Sequence, residues 1–91
     1  MVDPGSSGWP EFPEFRRTII ARARTRILPM LNIAGVGILA YELEQNVNDL
    51  NPELTAKMAK EHKDVVVGIK SAHWWAPNYI SVERAVEAGK L

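Results

Sequence analysis

Apolar and polar residues alternate with two different periods along this chain, and the changes of period mark its elements. From Glu11, "EFPEFRRTIIARART" sets Phe12, Phe15, Ile19 and Ala23 at helical spacing, with Arg16, Arg17 and Arg24 mostly on other faces. Pro13 suits a first helical turn, and Glu11 and Glu14 suit the positive end of the helix dipole. "RILPMLNI", Arg26 to Ile33, is an apolar run of strand length, although Pro29 offers no N–H to a ladder. "AGVG" then marks a loop. Residues 38–50, "ILAYELEQNVNDL", have no dominant period and fit a short helix or a wandering excursion. "NPELTAKMAKEHK" opens a helix with Asn51 as N-cap and Pro52 at its first position. Leu54 and Met58 form its apolar pair, and His62 ends it. "DVVVGIK" predicts a strand. The loop "SAHWWAPNY" leads to Ser81 as a second N-cap, and "VERAVEAG" adds two helical turns, with Val82 and Val86 one turn apart and Gly89 as the stop. The first ten residues, "MVDPGSSGWP", read as a loop or the tail of a strand.

Strands that alternate with helices pair in parallel through right-handed crossovers, so the expected fold class is α/β. Side chains alternate along a strand. Val65, Val67 and Ile69 therefore share one face, suited to packing under the crossover helices, and Val66, Gly68 and Lys70 share the other. Lys70 stands at the carboxyl end of its strand, where parallel α/β folds bind ligands. If Leu28 and Met30 face the same side, so does Asn32, also at a carboxyl end. The competing reading of Lys70 is a solvated strand terminus whose stem covers apolar surface.

Composition narrows the choice of partners. Eleven basic side chains balance eleven acidic ones, which argues against a nucleic-acid partner that needs basic excess. No apolar run approaches the roughly 20 residues of a membrane span, and the N-terminus lacks the pattern of a signal peptide. The absence of cysteine removes disulfides, thiolate metal sites and cysteine nucleophiles, and agrees with a cytoplasmic location.

Other polar residues carry weaker signals. His73 follows Lys70 by three residues and either contacts substrate or is a loop histidine bonded to backbone or water. His62 suits the negative end of its helix dipole and receives no catalytic role. Trp74 and Trp75 form a substrate wall, a barrel rim or a subunit contact. "DPGSSG" reads as a tight turn rather than a phosphate cradle, and the arginines between Arg16 and Arg26 as a solvated face.

"VDPGSSGW", "FRRTIIARARTRILPMLNIAGVGI" and "DVVVGIKSAHWWAPNYISVERAVEAG", in this order and spacing, resemble the metal-dependent amidohydrolases, in the branch of dihydroorotase, deacetylases and D-aminoacylases. The resemblance spans nearly the whole chain. It implies a (β/α)8 TIM barrel, which takes about 250 residues. Residues 1–91 would then be a single incomplete segment of that barrel, about three βα units with parallel strands. The resemblance implies a site with one or two divalent metals, zinc first among them. The ligands are a His-x-His pair on the first strand, a lysine on the fourth, histidines on the fifth and sixth, and an aspartate on the eighth. Lys70 in "VVGIK" matches the lysine, which many members carry as a carbamate bridging two metals. Carboxylation turns a cation into an anionic oxygen donor that such metals accept. The two histidines present, His62 and His73, do not form the His-x-His pair.

The function so implied is hydrolysis of an amide, cyclic amide or acyl bond of a small molecule by a metal-activated water. Lys70 is the metal ligand, and Asn32 and His73 are candidates for substrate contact. With one ligand the chain alone is expected to be inactive. The alternative is a non-catalytic α/β interaction module. In either case an uncovered barrel face at Val66, Leu28 and Met30 would drive self-association. A third reading makes Lys70 the Schiff-base or phosphate-binding lysine of another barrel.

Overall fold

A computed structural model describes residues 1–38 and 41–91. Leu39 and Ala40, within the stretch read as ambiguous, lie outside the described residues. Three short strands, β1 (Val2–Asp3), β2 (Leu28–Asn32) and β3 (Gly68–Lys70), pair in parallel in the order β1-β2-β3. The register sets Val2 beside Leu28, Met30 beside Gly68, and Asn32 beside Lys70. Helix α1 (Phe12–Phe15) runs into a π-helical turn, Arg16–Ile20, and lies between β1 and β2 in the chain. Two 3-10 turns, Tyr41–Gln45 and Val47–Asp49, and helix α2 (Pro52–Glu61) lie between β2 and β3, and α3 (Ile80–Lys90) follows β3. The expected α/β order with parallel strands is therefore present.

Pro29 sits inside β2 without breaking it. Its carbonyl accepts the Val67 N–H at 2.9 Å, and its missing N–H falls where that ladder is only starting, before β3 begins at Gly68. β3 is shorter than "DVVVGIK" predicts. The amides of Val65 and Val66 both bond to the His62 carbonyl and close a turn. Val67 is 54% exposed, so it does not pack under the helices as the alternation implied.

The core sits where the sheet meets α3 and the segment before α2. Ile33, Ala34, Leu50, Ala72 and Ala88 are buried together, with Ile69, Trp74, Ile80 and Ala85 packed against them. An isolated antiparallel bridge between Ala34 and Leu50 ties the end of β2 to the start of α2.

The helices differ from their expected faces for a common reason: small residues, not the largest apolar ones, make the contacts. On α2 the Asn51 Oδ1 caps the Leu54 N–H at 2.9 Å and Pro52 opens the helix, as expected. Its buried residues, however, are Pro52, Thr55 and Ala56, while Leu54 is exposed and Met58 half-buried. α2 packs against α3, whose inner positions are Ser81, Ala85 and Ala88. Val82 and Val86 are exposed. α3 begins at Ile80, which makes Ser81 a buried first-turn residue and not the N-cap, and it continues through Gly89 to Lys90. In the first helix only Phe12 of the predicted stripe is buried; Ile19 is 50% exposed and Ala23 is exposed. The Ala21 N–H bonds to the Arg16 carbonyl five residues back, and this π winding turns Ile19 off the stripe and ends the helix early.

Candidate active site

The carboxyl ends of the three strands lie side by side and carry the polar residues singled out above. After β1 the chain turns at "DPGSSG". The Asp3 carboxylate accepts the Ser6 N–H at 3.0 Å and the Ser6 hydroxyl at 2.6 Å. Gly5 occupies this turn at φ 102°, and a Cβ there would collide with the stem of Lys70. The tight turn expected from the sequence thus has a second role, as the seat of the lysine stem.

Asn32 ends β2 and is fully buried. Its Nδ2 donates to the Gly5 carbonyl at 3.1 Å, and its Oδ1 accepts the Ala34 N–H at 3.0 Å. Both ends of the amide are therefore occupied by backbone, and the side chain fastens the β1 turn to β2. Lys70 shares its register and face, as the alternation requires. The half-buried lysine donates from Nζ to the Ser71 carbonyl at 2.7 Å. The Ser81 hydroxyl accepts the Ala72 N–H at 2.9 Å and pairs with the Ser71 hydroxyl at 2.8 Å, so the first turn of α3 holds the chain just past Lys70.

His73 is held by side chains rather than by backbone or water alone. Its Nδ1 lies 3.0 Å from Glu44 Oε2 and 3.2 Å from Oε1, and its backbone N–H donates to Oε1 at 3.1 Å. Tyr41 stacks on the imidazole with ring centroids 4.4 Å apart. Gln45 donates to the His73 carbonyl and accepts the Trp75 N–H at 2.9 Å. The Tyr41–Gln45 turn thus straps the loop after β3. Sequence reading missed Glu44 because it stands in a stretch without period. Trp74 packs on the core and donates from Nε1 to Asn78 Oδ1 at 2.8 Å, while Trp75 is exposed.

The basic stretch behaves as a solvated face. Arg16 forms a two-pronged pair with Asp64 at 3.0 and 2.5 Å and donates to His62 Nδ1 at 2.9 Å. The Arg16 hydrogen bonds hold the Asp64 carboxyl below its ordinary pKa, and Asp64 raises that of Arg16. Arg17 does the same for Glu14. Arg22, Arg24 and Arg26 are exposed. His62 caps the end of α2 with its ring edge on Phe12.

A cleft of about 420 Å³ between α2, β3 and α3 is lined by Ala56, Val66, Val67 and Ile69, and Lys70 is not part of its wall. Among the described residues, no three His, Cys, Asp or Glu side chains gather closely enough to hold a metal, and no helix is long and apolar enough to cross a membrane.

No protein-family model matches the chain. A curated deacetylase of Agrobacterium fabrum is 32% identical to it over 74 residues, which is 77% of this chain and 18% of that protein. The crystal structure of a dihydroorotase superposes with a TM-score of 0.85 and 26% identity, covering 98% of this chain and 27% of that one. The crystal structure of an adenine deaminase gives 0.86 and 25%, covering 98% and 25%. The chain thus spans about a quarter or less of the length of the proteins it matches.

Proposed function

The chain belongs to the amidohydrolase superfamily, and on that premise we propose that it supplies the strand-end lysine of a divalent-metal hydrolase centre. The observation that carries this reading is the placement of Lys70: last residue of β3, on one face with Asn32, with its stem seated on Gly5. The residue fits the group. Among the described residues its Nζ has a single partner, a backbone carbonyl, so the amine keeps room to accept carbon dioxide and become an anionic oxygen donor. The chemistry supplied by a bound pair of ions, zinc by preference, is activation of water and polarisation of a substrate carbonyl. The substrate is a small molecule with an amide, cyclic amide or acyl bond. Asn32 acts from behind, keeping the β1 turn under the lysine stem, and His73 is the candidate for substrate contact. Residues 1–91 act as one incomplete barrel segment, and the chain works in the cytoplasm.

One ligand cannot hold a metal pair, so the chain alone is expected to be inactive even with zinc and bicarbonate. The test joins structure and turnover. Carbon-13 bicarbonate should give a carbamate resonance that Lys70→Ala abolishes. In a barrel containing this segment, the same substitution should lower amide hydrolysis by more than about 100-fold, the scale set by metal-site losses. A wild-type rate retained by Lys70→Ala would refute the metal role.

A second reading, a non-catalytic α/β interaction module, draws on the outer strands. β1 and β3 each have an open edge, and Val2 and Val67 beside them are exposed. The radius of gyration, 12.3 Å, matches the roughly 12 Å of a globular chain of this length. Light scattering on the eluting protein separates the readings: a stable monomer favours the self-sufficient module, and self-association favours an uncovered barrel face.

A further inference from the structure

A buried carboxylate and a half-exposed imidazole form a second functional pair beyond Lys70. The Glu44 side chain is fully buried, whereas that of His73 is 36% exposed. Burying a carboxylate is costly unless donors surround it. All of Glu44's side-chain partners among the described residues come from His73: the ring Nδ1 and the backbone N–H. The carboxylate therefore grips one residue at two points, which fixes both the path of the loop and the rotation of the ring.

This grip decides which nitrogen is left for chemistry. A carboxylate facing Nδ1 requires a hydrogen there whether the ring is neutral or charged. In the neutral ring Nε2 is then an acceptor with its lone pair free, and among the described residues no protein group bonds to it. Tyr41 covers one face of the ring, and Gln45 fixes the carbonyl of His73 and the amide of Trp75. A histidine that only fills a loop needs neither a defined tautomer nor a strap. Histidines that ligate or accept protons are commonly set in this way, by a carboxylate behind the other nitrogen.

We propose that His73 contacts the substrate through Nε2, accepting a hydrogen bond from an N–H or O–H of an amide-class ligand, and that Glu44 is its positioning residue. The substrate class rests on the reading above, but the pair itself rests on its own geometry. Tyr41 gives the ring a rigid back wall, and the ligand's donor must approach in the plane of the imidazole.

The chain has two histidines, so each reports on the other. Diethyl pyrocarbonate acylates a neutral imidazole nitrogen, and peptide mass spectrometry locates the product. His73 should react several-fold faster than His62, whose ring lies against Arg16 and Phe12, and Glu44→Gln should slow His73 while leaving His62 unchanged. Long-range proton–nitrogen spectra should show hydrogen on Nδ1 and none on Nε2. With turnover in a barrel containing this segment, His73→Asn should raise KM about tenfold, the value of one neutral hydrogen bond, with kcat changed far less. Hydrogen found on Nε2, or a His73 rate indifferent to Glu44→Gln, would overturn the proposal even if Lys70-dependent hydrolysis is intact. Loss of the Lys70 dependence with His73 still reactive and correctly protonated would overturn the metal reading and leave this pair standing.

Discussion

The two ends of the sheet handle polar groups in opposite ways. Near the amino end of β3 a charge pair lies on the surface, Arg16 with Asp64, and a second surface pair, Arg17 with Glu14, stands on the first helix. At the carboxyl ends, polar side chains are buried and bonded to backbone or to each other: Asn32, Glu44 and Ser81. All the displaced pKa values fall on these two surface pairs. Displaced titration often marks an active site. Here it marks exposed ion pairs, of a kind that contributes little to stability, and burial of polar groups is the better pointer. The comparison can be attacked by removing one group at a time from each end.

The largest effect is expected from Asn32→Ala. The change leaves the Gly5 carbonyl and the Ala34 N–H without their partner in a buried setting. Each such orphan costs about 1–3 kcal/mol, so urea unfolding should show a loss of roughly 2–6 kcal/mol. A loss below about 0.5 kcal/mol, the range of ordinary surface changes, would mean that the strand ends are not built around this amide.

Gly5→Ala comes next, at about 1–3 kcal/mol, because it combines a left-handed backbone with a collision against the Lys70 stem. The two causes are separable. In a Lys70→Ala background the contacts with Cγ and Cδ are gone and only the close approach to the Cβ and the backbone strain remain, so the double-mutant cycle should show coupling between the two residues. Additive losses would detach the turn from the lysine. At a helix interface, Thr55 has a buried hydroxyl without a partner among the described residues. Thr55→Val removes it at equal shape and should leave thermal stability unchanged or raise it by about 1 kcal/mol.

What could be read from the sequence follows the range of the physics involved. Strand alternation has a period of two and needs no partner, so the shared face of Asn32 and Lys70 was legible from spacing once both strands were assumed. The Asn51 cap and Pro52 are equally local. Helix faces were not legible in the same way. Leu54, Val82 and Val86 carry the larger apolar side chains yet lie outward, while the buried positions of the two helices include the small Thr55, Ala56, Ser81 and Ala88. A π turn at Arg16–Ile20 leaves no mark in apolar spacing either. Glu44 was invisible because its meaning lies in His73, 29 residues further on.

The smallest effect belongs to the surface end and has a definite sign. Hydrogen bonds from Arg16 hold the Asp64 carboxyl below its ordinary pKa in the folded protein. A depressed carboxylate contributes its stability fully above the unfolded pKa, near 4, and loses it as pH falls through the lower folded value. Asp64→Asn should therefore lower the melting temperature slightly at pH 7. The gap between variant and wild type should close as the solution is acidified below pH 4, where the wild type also loses the charge. It should shrink again at 1 M salt, because both partners face solvent and the Debye length falls to about 3 Å. Asn32→Ala, by contrast, should keep its full cost across the same pH and salt range, since neither of its bonds involves an ionisable group. Melting curves of the two variants at pH 7 and pH 3, with and without salt, set the ends of the sheet against each other. A pH- and salt-independent deficit in Asp64→Asn would place that pair among the buried, structure-defining contacts and erase the distinction.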